Sequence, residues 1–94
     1  MKFDVEVTIH KNEKEVVFEL EVDFFKSGSP RGNGYYMSIS GKNNTNFEDR
    51  LIDIRYDSSF NENIPELYFM SWAYTYWSGE NGSYDIKSLK MSKS

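Results

Sequence analysis

The sequence predicts an α+β domain, a curved antiparallel sheet of about five strands with one helix, residues 64–78, packed on its apolar face. Three observations carry that expectation. Residues 2–10 and 15–24 alternate apolar and polar side chains with period two. Residues 67–77, LYFMSWAYTYW, hold six of the sixteen aromatic residues. Shorter alternating stretches lie on either side of that segment, and ninety-four residues suffice for one domain, residues 1–94.

The first hairpin is the clearest element. Phe3, Val5, Val7 and Ile9 fall on one face of its first strand, and Lys2, Asp4, Glu6, Thr8 and His10 on the other. After the polar break Lys11-Asn12-Glu13-Lys14, the residues Val16, Phe18, Leu20, Val22 and Phe24 resume the pattern against Glu15, Val17, Glu19, Glu21 and Asp23. A loop centred on Asn12-Glu13 pairs Ile9 with Val16, Val7 with Phe18 and Val5 with Leu20. A slip of one residue would set apolar against charged. The same register opposes Glu6 to Glu19 and Asp4 to Glu21. Like charges so placed are mildly destabilising unless another element supplies Lys or Arg between them.

Lys26 to Gly34, KSGSPRGNG, reads as a Gly/Ser-rich loop that can make contacts through Arg31. It contains a GxG but lacks the Lys-Ser/Thr of a phosphate loop. Residues 35–40 read as a short strand with Tyr35, Met37 and Ile39 facing one way. Residues 41–46, rich in Asn, are turn chemistry. Residues 47–56 read as a fourth strand with Ile52, Ile54 and Tyr56 inward and Asp53 and Arg55 outward. Residues 57–62 form a loop. Residues 80–83 are a turn, 84–91 a weak last strand clearest at Tyr84 and Ile86, and the final Ser-Lys-Ser is expected to fray.

The aromatic segment admits two readings. As a strand it is mostly apolar on both sides, with Tyr68, Met70, Trp72, Tyr74 and Tyr76 opposite Leu67, Phe69, Ser71, Ala73, Thr75 and Trp77. It would then be the centre of an all-β sandwich or small barrel, the alternative architecture. As a helix, Ser71, Thr75 and Ser78 gather into a narrow polar arc, with Pro65, Phe69, Trp72, Ala73, Tyr76 and Trp77 on the other side. The ends fit the helix: Asn63 as N-cap with Glu66 three residues on, Pro65 in the first turn, and Gly79 as a left-handed stop. Start, stop and polar arc agree, so the helix is preferred.

Composition narrows the chemistry. There is no cysteine, which excludes disulfides, thiolate catalysis and zinc–sulfur sites. MKFDVEVTIHK has no uninterrupted apolar run, and no segment approaches the ~20 apolar residues of a membrane span, so the expectation is a cytoplasmic protein without a membrane partner. Asn43-Asn44-Thr45 and Asn81-Gly82-Ser83 match the glycosylation pattern, but without export the matches are accidental. His10 is the sole histidine and falls on the polar face of the first strand, where a solvated role outweighs a triad. The carboxylates of the hairpin lack both the cleft of a glycosidase pair and the dense oxygen run of a calcium loop. No catalytic residue, metal site or cofactor is expected.

Charge is more informative. Residues 1–23 carry seven acids and three bases, a balance of −4 that equals the net charge of the whole chain. No basic stripe exists to neutralise phosphates, so direct nucleic-acid binding is not expected. An acidic face can instead steer onto a basic protein surface. On the helix, Tyr68 and Tyr74 border the polar arc, where tyrosine favours protein contact. The expected function is a non-enzymatic protein-binding module whose contact residues are Asp4, Glu6, Glu19, Glu21, Tyr68 and Tyr74. Small, acidic, Asn- and Tyr-rich domains of this kind are similar in style to accessory proteins of phages and mobile elements. That resemblance implies an inhibitor occupying a basic surface of a host enzyme. The alternative is a carbohydrate- or small-ligand-binding domain that stacks its ligand on exposed Trp72 or Trp77. Open edges on so small a sheet also allow a homodimer.

Overall fold

Period-two alternation becomes two long antiparallel strands in the computed structural model, which describes residues 1–28, 34–80 and 84–94. They are β1 (Lys2–Lys11) and β2 (Lys14–Ser27), followed by β3 (Gly34–Gly41) and β4 (Arg50–Asp53). Then come the helix α1 (Pro65–Thr75), a π-helical turn (Tyr76–Glu80) and β5 (Asp85–Lys93). The five strands form one antiparallel sheet in the order β4-β3-β2-β1-β5. Four strands meander to one edge, and the helical segment carries the chain back over the sheet to the other. Fourteen residues of β2 at ~3.3 Å each span about 46 Å, close to the 48 Å long axis of the molecule. Both the sheet and the single covering helix are as the sequence predicts; the sandwich and barrel are not formed.

The β1–β2 register is the expected one, with Ile9 opposite Val16, Val7 opposite Phe18, Val5 opposite Leu20, and the acid pairs Glu6/Glu19 and Asp4/Glu21 face to face. Its turn is only Asn12-Glu13, both in the left-handed region at φ 51° and 65°. This is the backbone that suits the twist of a two-residue hairpin.

The core is the inner face of this sheet. Phe3, Val5, Val7, Ile9, Leu20, Val22, Phe24, Met37, Ile39 and Ile54 are buried under Phe69, Ala73 and Trp77 of the helical segment. Pro65, Phe69 and Ala73 recur every fourth residue and form the buried stripe of α1. Burying a ring such as Phe69 is worth roughly 3 kcal/mol.

Several local expectations are corrected. Asn63 is not the N-cap: Ile64 occupies that position without a side-chain cap. Asn63 instead donates its N–H to Asn61 Oδ1 (2.9 Å), and Ile64 donates its own to Asn61 O (3.1 Å). Gly79 does not close the helix with a left-handed residue. The ladder widens into the π turn, which turns the neighbouring rings Tyr76 and Trp77 toward the sheet. The fourth strand is four residues long, because Asp57 donates to Ile54 O (3.2 Å) in a turn; Tyr56 is therefore 83% exposed rather than inward. The C-terminus is not frayed: Ser92 and Lys93 belong to β5, and Ser94 donates to Lys2 O (3.0 Å). Most of the Gly/Ser loop, with Arg31, and the Asn81-Gly82-Ser83 turn lie outside the described residues.

Candidate functional site: the uncovered face of the sheet

Only one face of the sheet is covered by the helical segment. The alternation that fills the core sends Asp4 and Glu6 of β1 and Glu19 and Glu21 of β2 to the other face, where the register sets them in one two-by-two block. Glu15 and Asp23 extend the row along β2. The four expected acids are thus brought together, and among the described residues no other layer lies over them.

They are not bare. Lys42, in the turn after β3, donates to Asp4 Oδ1 from two strands away. Lys2 Nζ lies 3.6 Å from Glu21, and Asn43 Nδ2 donates to Glu19 Oε2 (2.9 Å). Lys90 of β5 stands opposite Glu6 in the ladder. These cations offset the acid pairs that the hairpin register opposes. Lys42 is raised above the ordinary lysine value, first by its hydrogen bond to Asp4; desolvation, the next largest effect, opposes this, and the charges of Asp4, Glu21 and Glu19 add to the rise. Six carboxylates of β1 and β2 against Lys2, Lys42, Lys90 and the N-terminal ammonium group, 3.5 Å from Asp23, still leave the face negative. A shallow depression crosses it, bordered by Asp4, Glu6, Glu19, Lys42, Asn43 and Lys90.

The turn that carries Lys42 is held firmly. Lys42 donates its N–H to Glu19 O (2.8 Å), Thr45 donates to Lys42 O (2.9 Å), and Glu19 donates its N–H to Thr45 Oγ1 (3.3 Å). Asn43 and Asn44 adopt left-handed backbone at φ 51° and 62°, as their composition predicts.

The tyrosines of the expected contact are elsewhere. Tyr68 and Tyr74 ride on α1, over the opposite side of the sheet, so no flat partner touches them and the four acids together. Tyr74 is 53% exposed. Tyr68 is half-buried, edge-on to Phe60 with ring centroids 5.7 Å apart. Burial pushes its phenol up to about 12, and the adjacent Asp57 carboxylate adds to the effect. The tryptophans are not open platforms. Trp77 is 2% exposed, and Trp72 stacks on Tyr76 (4.8 Å, 15°), whose ring also carries the Arg50 guanidinium at 4.6 Å. Among the described residues the buried Arg50 Nε has no hydrogen-bond partner.

His10 stands opposite Glu15 on one side and Asp85 on the other, half-buried on the uncovered face. Among the described residues no three His, Asp or Glu gather as metal ligands, and no helix is long and apolar enough to cross a membrane. Sequence reasoning missed an apolar corner of the same face. Phe25 stacks on Tyr36 across the strands (5.8 Å), Tyr36 covers Gly34, and Leu51 of β4 is 66% exposed beside them. Period-two counting from Asp23 puts Phe25 outward and would have found it. The chain matches no family model, no curated protein and no solved structure.

Proposed function

We propose that the chain is a non-enzymatic protein-binding module that uses the uncovered face of its sheet. The single observation that supports this most is the block of Asp4, Glu6, Glu19 and Glu21, left uncovered in a row with the apolar corner of Phe25, Tyr36 and Leu51. Charge flanked by half-buried rings and an exposed leucine is the composition of a protein contact. The partner is a protein with a basic surface, and where that surface is an enzyme's working groove, occupancy inhibits it. Because Asp4 and Glu21 already hold lysines, Glu6 and Glu19 are the acids most available to a partner.

Tyr68 and Tyr74 drop out of this contact and are replaced by the apolar corner. Capture of the partner at low and at high salt tests the reading. Attraction between exposed charges is screened beyond about 10 Å at 0.1 M salt. Capture should weaken steeply as salt rises, and equal capture at both salt levels would refute an electrostatic contact.

A further inference from the structure

On the covered side, away from the acidic face, a recess of about 340 Å³ opens between the hairpin tip, the segment before β4 and the π turn. Its walls are rings: Phe18, Phe47, Tyr76, Trp77 and Tyr84. Phe18, Phe47 and Tyr76 stand 5.4, 6.2 and 5.0 Å from Trp77, the last edge-on at 89°. The π turn builds this wall, since its wider winding brings two adjacent rings to one cavity. Such insertions are often found at functional sites. The volume lies at the small end of ligand sites, about 300–1,000 Å³.

The rim is polar and of mixed sign. Lys11 Nζ lies over the Tyr84 ring at 5.1 Å, and Glu48 also borders the opening. Among the described residues neither has an ion-pair partner, and they do not pair with each other.

We propose that this recess binds a small zwitterion with a flat apolar side chain, a free aromatic amino acid. Its ring lies against Phe18 and Phe47, above the buried Trp77; Lys11 takes the carboxylate and Glu48 the ammonium group. A neutral sugar would leave both rim charges without a counterpart, and a simple anion would be repelled by Glu48. The site is independent of the uncovered face and stands or falls apart from it.

L-Phenylalanine is the probe, titrated into the full chain and followed by amide and indole N–H shifts in two-dimensional NMR. Saturable shifts are expected at Phe18, Phe47, Trp77 and Tyr84, with a dissociation constant of about 1 mM for so few atoms. 3-Phenylpropionate lacks the ammonium group and 2-phenylethylamine the carboxylate. Each should bind about tenfold more weakly, the loss of one charged hydrogen bond. Lys11→Gln should cost L-phenylalanine a similar factor and leave 2-phenylethylamine bound no more weakly; Glu48→Gln should cost L-phenylalanine the same and leave 3-phenylpropionate bound no more weakly. Both positions are exposed, so these variants fold. No shifts, shifts centred elsewhere, or equal binding of all three compounds would overturn the proposal.

Discussion

Lys42 and Asp4 meet across an intervening strand: the ammonium group that follows β3 donates to a carboxylate of β1 over the top of β2. The contact answers the repulsion built into the hairpin, where Asp4 faces Glu21. Folding raises the Lys42 pKa through the hydrogen bond and the surrounding carboxylates. Its contribution to stability is therefore fully present below the unfolded value of 10.5 and is lost as pH rises through the higher folded value. In urea denaturation, Lys42→Met should be less stable than the parent at neutral pH, with the gap closing in strong alkali. A gap that stays constant with pH would show that packing of the lysine stem, not its charge, matters.

Tyr68 acts in the same pH range for a different reason. Burial and the neighbouring Asp57 hold its phenol neutral up to about 12, against 10.0 for the unfolded chain. Stability from this group is complete below pH 10.0 and is lost as pH rises toward about 12. Tyr68→Phe should flatten this alkaline decline relative to the parent. Parallel curves for the two proteins would contradict the assignment.

The hairpin turn holds removable strain. Glu13 adopts φ 65°, a region that costs a side chain more than it costs glycine. Glu13→Gly creates the Asn-Gly pair that two-residue hairpins favour, and should raise stability by about 0.5–1 kcal/mol. A loss in the urea midpoint would show that the Glu13 side chain contributes something the backbone does not reveal.

Two glycines of β3 are tight for different reasons. A Cβ on Gly41 would stand 2.6 Å from Thr45 O, a backbone atom fixed by the turn that carries Lys42. On Gly34 it would meet the Tyr36 ring at 2.5 Å, but that ring can swing outward. Gly41→Ala should therefore cost about 1–3 kcal/mol and Gly34→Ala less. The reverse order in chemical denaturation would contradict this account of the turn.

How much of the molecule was legible follows from where one period governs. β1 and β2 alternate without interruption, so face, register and even the opposed acids could be read in advance. β5 could not be read as well, because the bulge at Lys87 breaks its alternation. Ser88 pairs with Thr8 but Ile86 with Ile9, so Ile86, Leu89 and Met91 all face inward despite uneven spacing. The helix was legible from its polar arc and its start from Pro65, which opens the first turn, yet its caps were not, since Asn61 and a π turn replaced the expected Asn63 and Gly79. At the candidate site the acids were legible and their lysines were not, because Lys42 and Lys90 arrive from distant elements. That Tyr68 and Tyr74 lie on the other side of the sheet from the acids already followed from setting the helix on the apolar face, so grouping the six residues in one contact was inconsistent with the predicted fold.

The claim that the uncovered face is the contact surface is tested most directly by altering the two sides separately. Glu6→Lys with Glu19→Lys changes the face; Leu67→Ser with Tyr74→Ser changes the exposed side of the helix. Both double variants should keep the parent's circular dichroism. Partner capture should be lost in the Glu6/Glu19 variant and retained in the Leu67/Tyr74 variant. Capture retained by the first and lost by the second would contradict the account and place the contact on the helix.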